Sequence, residues 1–254
     1  GRIAIKDGHF FVGDGSVPVL FSGRTLDWKG KIFSLRQAYF KDFIFADSSR
    51  IGFISTAATT RRRTLGAFSR KSDTVSVFLA EGMLSEATDA GTFDTDGTML
   101  WNEMHGKFLY TYFYRNQYLA IDRNLSGHAI GKTIDTISVP VLNVAHYSRA
   151  GHYQLGSGSV LVNRQTATNG NYLYVHSDRL GKYEDDGVLR SASIIDVYDL
   201  RSNTYAFSFH LYHEAGKKIS EFRIQDDLLV AIVDSRLWLY RLKPKYFETG
   251  SDRK

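Results

Sequence analysis

The sequence of 254 residues predicts an all-β fold, a β-propeller of five or six blades of antiparallel strands. Three observations predict it. A strand, tight polar turn, strand phrase recurs along the chain. The recurrences are spaced at about the 40 to 50 residues of one propeller blade. No segment shows a sustained 3.6-residue apolar period. Composition agrees, because aromatics make up 14% of residues while the chain holds only three prolines and 22 glycines. Aromatic and β-branched side chains suit a pleated, half-buried surface better than a helix.

The clearest phrase is Ser193-Ile-Ile-Asp-Val-Tyr-Asp-Leu200, then Arg201-Ser-Asn-Thr204, then Tyr205-Ala-Phe-Ser-Phe-His-Leu-Tyr212. Its relatives are Val17 to Leu35 with a turn through Asp27-Trp28-Lys29-Gly30, Leu65 to Leu79, Tyr118 to Ile130, and a last one from Leu237. Each turn holds Asp, Asn, Ser or Gly, which tolerate turn dihedrals or bond their own backbone. Phrase starts at Val19, Leu65, Tyr118, Ile195 and Leu237 are separated by 46, 53, 77 and 42 residues.

Other apolar segments supply inner strands. They are Phe43 to Phe45 with Ile51 to Ile54, Lys107 to Tyr114, Asn171 to His176, and Phe222 to Ile224 with Leu228 to Val233. The best helical candidate, Ala80 to Ala90, is polar enough to read as a turn or one short helix. Arg2 to Ile5 is expected to complete the final blade, which would remove an exposed sheet edge. The chain reads as one propeller domain over 1–254, with an inserted loop region near 150–190 that accounts for the 77-residue gap. That region carries the Gly- and Ser-rich run Gly151 to Gly158 and the charged loop Gly181 to Gly187.

Composition also removes chemistries. With no cysteine there are no disulfides, thiolate metal sites or thiol nucleophiles. No stretch approaches the roughly 18 apolar residues of a membrane-spanning helix. The opening Gly1 to Lys6 has no apolar core or cleavage site of a signal peptide and reads like the middle of a protein. The net charge of +5 is unevenly distributed. Seven cations face two carboxylates between Lys41 and Lys71, whereas Ser72 to Gly97 holds six carboxylates and no Lys or Arg. Adjacent opposed blocks argue against a nucleic-acid binder, which needs a longer basic track interleaved with aromatics.

Several motifs carry candidate chemistry. Arg61, Arg62 and Arg63 put three adjacent guanidinium groups on a loop, able to grip a phosphate, sulfate or carboxylate, although short basic runs are ordinary on surfaces. Tyr183, Glu184, Asp185 and Asp186 lie on the inserted loop and would suit a cation or a basic partner. Asp94-Thr-Asp-Gly97 echoes the opening of a calcium loop but lacks its later ligands, so a turn is the better reading. Tyr110, Tyr112 and Tyr114 share one face of a strand, where they either stack on a ligand or pack between blades. The eight histidines show no zinc-binding spacing, and no nucleophile elbow or phosphate-binding glycine pattern occurs. The expectation is therefore no catalytic residue, no metal site and no cofactor.

Four segments, Phe43 to Ile51, Gly131 to Ile137, Asn169 to Tyr174 and Ile194 to Leu200, resemble the uncharacterised TolB-like, six-bladed propeller proteins of Gram-negative cell envelopes. The similarity spans roughly Tyr39 to Leu242 and rests on strand patterns. It implies export and a periplasmic or cell-surface location, with a lipid anchor supplied by a segment outside this chain. The expected function is a non-catalytic ligand- or protein-binding propeller, an accessory subunit with a protein partner, such as an outer-membrane complex. The alternative is a hydrolase or lyase of the lactonase kind using a divalent metal in the channel. Replacing Arg61 to Arg63 with Ser is expected to leave the fold intact, which circular dichroism and a thermal melt check.

Overall fold

A computed structural model describes residues 2–57, 62–88, 90–147, 152–181, 183–185, 187–214 and 216–247. Five antiparallel sheets of the blade type are present among these residues, together with one separate hairpin. The first sheet runs β1 (Arg2–Lys6), β2 (His9–Asp14), β3 (Val19–Arg24), β4 (Gly30–Leu35). The second runs β5 (Asp42–Asp47), β6 (Arg50–Thr56), β7 (Arg63–Lys71), β8 (Thr74–Ala80). The third is β9 (Gly97–Asn102), β10 (Lys107–Tyr112), β11 (Gln117–Asp122), β12 (His128–Lys132). After the hairpin of β13 (Val144–Tyr147) and β14 (His152–Leu155) comes the fourth sheet. It holds β15 (Gln165–Asn169), β16 (Tyr172–Ser177), β17 (Ala192–Asp199) and β18 (Thr204–Tyr212). The fifth has three strands, β19 (Ile219–Gln225), β20 (Leu228–Val233) and β21 (Arg236–Arg241).

Four of the five recurring phrases fall on strand pairs of this series, the last contributes only β21 because Pro244–Tyr246 is a 3-10 turn, and the expected count of five or six resolves to five sheets. The expectation for the N-terminus is corrected. Arg2 to Ile5 does not complete the last sheet; it pairs with β2, from Arg2↔Gly13 to Lys6↔His9. The cause is local. Asp7 and Gly8 both have positive φ, 49° and 71°, the pattern of a two-residue hairpin turn whose twist matches the flanking strands. Within 150–190 the extra residues form two separate stretches, because β15 and β16 lie between them. Among its described residues Ala80 to Ala90 forms no helix, and a single 3-10 turn, Gly91–Phe93, follows it.

The contacts divide the chain into two compact units. One comprises Gly1–Thr95 with Ile121–His128, the other Asp96–Ala120 with Ala129–Lys254. The core of the first unit is mainly phenylalanine: Phe11, Phe33, Phe40, Phe43, Phe45, Phe53 and Phe68, with Leu20 and Ile51. Phe53 and Phe68 are fully buried, their ring centroids 4.6 Å apart. Such contacts add to the burial of large apolar area. Arg50, buried at the end of this core, donates Nε to the Arg123 carbonyl and Nη2 to Asn124 Oδ1, both at 3.0 Å. Its charge is thus hydrogen-bonded, as a buried guanidinium requires.

In the second unit the fourth sheet is covered on both faces. Leu173, Val175 and Tyr198 pack with Leu109, Tyr118 and Ala120. Tyr172, Tyr174, Ile195 and Val197 pack with Phe222, Leu229 and Ala231 of the fifth sheet. Residues alternate along β16 and β17 between these two sides, which is the period-2 geometry of a strand. Tyr110 and Tyr112 are wholly buried and meet edge to face at 5.2 Å, so these two pack inside the fold, whereas Tyr114 lies beyond the end of β10 and is half-buried.

Phe53→Ala is expected to lower stability by about 3 to 5 kcal/mol, the usual cost of truncating a buried aromatic. Urea unfolding measures it, and a loss below 1 kcal/mol would contradict the packing described.

Candidate functional site

The strongest candidate is a cleft of about 250 Å³ in the second unit, lined by Thr133 to Thr136, Val162, Asn163, Ser177, Arg179 to Gly181 and Asp196. It is built on the middle of the clearest sequence phrase. Asp196 sits inside the apolar run Ile194-Ile195-Asp196-Val197 of β17 and is only 3% exposed. Strand register brings two hydroxyls to it. Ser208 lies directly opposite on β18, and Ser177 closes β16 on the other side. Ser177 Oγ donates to Asp196 Oδ2 at 2.8 Å and Ser208 Oγ to Oδ1 at 2.5 Å.

Burial is the largest influence on this carboxyl and raises its pKa, the two serine hydroxyls oppose it, and the charge of Glu184 adds to the rise. Burial disfavours the charged form, and hydrogen bonds from the two hydroxyls offset part of that cost.

The rim is an ion pair. Arg179 Nε lies 2.6 Å from Asp135 Oδ2, and the other Asp135 oxygen accepts the Ile137 N–H at 2.8 Å. The Ile134 N–H is bound at 3.0 Å by the hydroxyl of Tyr198, whose own ionisation burial strongly disfavours. Asn163, 2% exposed, donates Nδ2 to the carbonyls of Tyr112 and Arg115 at 2.7 and 2.9 Å. The Thr133 hydroxyl, on a residue 5% exposed, has no hydrogen-bond partner among the described residues. A buried polar atom without a partner in a cleft wall is costly unless something completes it.

The residues singled out in the sequence are placed as follows. Arg61 and Asp186 lie outside the described residues. Arg62 Nε pairs with Glu86 Oε1 at 2.8 Å, and Arg63 Nη1 donates to Thr56 Oγ1 at 3.0 Å. Arg62 and Arg63 line a cavity of about 200 Å³ together with Glu81 and Glu86. Glu86 of the acidic block thus pairs with Arg62 of the basic loop.

Tyr183 is 90% exposed. Glu184 turns back, its Oε1 3.0 Å from His210 Nε2 and its Oε2 accepting the Gly181 N–H at 2.7 Å. Asp185 Oδ1 accepts the Gly187 N–H at 2.6 Å. The loop thus borders the cleft at Gly181, while the cleft's own charged residues, Asp135, Arg179 and Asp196, were missed from sequence. The one available signal was a carboxylate inside an apolar strand.

Asp94 is buried and accepts the N–H groups of Ala87 and Thr88 at 2.7 and 2.5 Å, as a loop-closing turn residue does. Among the described residues no group of three His, Asp or Glu is placed to hold a metal ion. No helix among them is long and apolar enough to cross a membrane.

The sheets and their strand order define the class: the fold is a β-propeller. The β-propeller domain of the Trilobed protease from Pyrococcus furiosus aligns with TM-score 0.51 at 9% identity, over 96% of this chain and 81% of that one. Weaker likenesses, too low to carry argument, are Kluyveromyces lactis Hsv2 (TM-score 0.48, 12% identity, 98% of this chain) and apo AztD from Citrobacter koseri (0.47, 8%, 95%). The chain spans 63% of the Hsv2 chain and 69% of the AztD chain. No protein-family model matches this chain, and no curated protein sequence does.

Asp196→Asn is expected to gain stability relative to the parent as pH rises. A raised folded pKa favours folding below the unfolded value near 3.8 and loses that contribution as pH climbs through the folded value. The neutral amide has no such loss. Urea titrations between pH 4 and 8 check it; a constant difference would contradict a buried, titrating Asp196.

Proposed function

We propose that this chain is a non-catalytic binding propeller whose cleft around Asp196 seats a small polar ligand rich in hydrogen-bond donors. The observation that carries the reading is the buried Asp196 carboxylate held by two serine hydroxyls beside the unpartnered Thr133 hydroxyl. A cleft of about 250 Å³ suits a monosaccharide-sized molecule or a single side chain, being smaller than the usual 300 to 1,000 Å³ of drug-sized sites. Two carboxylates against one guanidinium favour donors and cations over anions. The lactonase-like alternative has no convergent ligand set among the described residues to favour it.

The broader role is accessory subunit of a bacterial cell-envelope assembly with a protein partner. Support for that part is the resemblance of the strand phrases to TolB-like propellers. Fractionation of cells expressing the full gene checks it, with recovery in the periplasmic or membrane fraction expected and a purely cytosolic protein contradicting it.

A thermal-shift panel of neutral sugars, primary amines and carboxylic acids tests the cleft. A donor-rich compound at a hundred times its Kd stabilises by about 2.7 kcal/mol through mass action alone. The shift is expected to vanish in Asp135→Asn and in Arg179→Gln with the melting curve of the free protein little changed. Stabilisation by acids only, or a shift that survives both substitutions, would contradict the proposal.

A further inference from the structure

Among the described residues the fifth sheet is one strand short of the other four. Those each run to four strands, and the fifth stops at β21. β21 is also the least buried of the five third strands, β3 burying two of six residues and β7 five of nine. In the same third position β17 buries seven of its eight residues and β11 four of six, whereas β21 buries none. Leu237 and Leu239 on one face are 70% and 67% exposed. Trp238 and Tyr240, on the other, are partly buried against the core of the second unit. The ladder partner of β21 is β20, from Val233↔Arg236 to Leu228↔Arg241. Its far edge pairs with no other strand among the described residues, which leaves a row of backbone donors and acceptors as a template.

Charge selects what such an edge accepts. From Arg236 to Phe247 the chain carries Arg236, Arg241, Lys243 and Lys245 and no acidic residue. All four cations are exposed. Two of them have acidic neighbours: Arg241 lies 3.3 Å from Asp227 across the ladder, and the charge of Arg236 acts on Glu214. A second copy is a poor occupant: two β21 strands paired antiparallel about a twofold set Arg236 of each opposite Arg241 of the other, and like charges directly opposite destabilise a sheet.

We propose that β21 takes, as a fourth strand, an extended segment of a separate protein with acidic residues at its ends and β-branched side chains between them. Main-chain hydrogen bonds along the edge supply affinity in this mode. Alternate side chains lying beside Leu237 and Leu239 on one face, and Trp238 and Tyr240 on the other, supply selectivity. The acidic ends meet Arg236 at one terminus and Arg241 with Lys243 at the other. This surface is independent of the cleft around Asp196.

The test is fluorescence anisotropy of a labelled nonapeptide of alternating valine and threonine flanked by paired glutamates, titrated with the whole chain. Saturable binding is expected. Methylating alternate amides of the peptide, in two versions that cover both edges, is expected to weaken binding at least tenfold in one version. The protein variant Arg241→Glu with Lys243→Glu, both exposed and checked by circular dichroism, is expected to weaken it at least tenfold as well.

No binding, or equal binding by both methylated peptides, would overturn strand addition. Equal binding by a lysine-flanked peptide would overturn the charge match. A dimer in sedimentation that the double variant dissociates would assign the edge to a second copy instead, and so would also overturn the proposal.

Discussion

Aspartate carboxylates that accept the backbone N–H two residues ahead hold this fold's turns, and strand register depends on them. Asp14 binds the Ser16 N–H at 3.0 Å, Asp47 that of Ser49 at 2.8 Å, Asp122 that of Asn124 at 2.9 Å and Asp199 that of Arg201 at 2.8 Å. Each of the four ends a strand, in the first, second, third and fourth sheets. An Asx turn satisfies a turn N–H that would otherwise need water, and it fixes where the next strand begins. A slip of one residue would send every side chain of the strand to the opposite face. In the fourth sheet that slip would carry Asp196 from the cleft into the apolar core shared with the fifth.

The same device shapes the candidate site. Asp135 closes its own turn on the Ile137 N–H and offers its second oxygen to Arg179. Asp185 closes on Gly187 in the loop that leads back to β17. The rim of the cleft is therefore held by turn chemistry and its floor by strand pairing. A site placed on such elements keeps its geometry before a ligand arrives, which lowers the entropic cost of binding.

Much of the fold was legible because hairpins announce themselves through apolar runs around Asp, Asn, Ser and Gly. The pairs β3 with β4, β7 with β8 and β17 with β18 follow those phrases closely. Where legibility failed, the local signal was weak or its partner was remote. β15 reads Gln-Thr-Ala-Thr-Asn, a strand made by cross-strand neighbours more than by hydrophobicity. β9 follows directly on an acidic turn that masked its start. The pairing of β1 was decided by Asp7-Gly8, a two-residue signal overshadowed by the need to close a sheet elsewhere.

The site was half legible: the loop 181–187 stood out by charge, but Ser177, Asp196 and Ser208 are 19 and 12 residues apart and meet only through register.

Acid unfolding tests the turn carboxylates most directly. The pKa of Asp14 is lowered to about 2, chiefly by the Ser16 hydroxyl and then its N–H. Asp199 is lowered chiefly by Arg201, while in Asp47 and Asp122 hydrogen bonds outweigh a burial effect that acts the other way. A depressed folded pKa gives stability that is present above the unfolded value of 3.8 and lost as pH falls through the folded one. Urea unfolding between pH 6 and pH 2 is therefore predicted to show stability falling steadily below about pH 4.5, with several protons taken up on unfolding. A stability that stays level across that range would contradict the account.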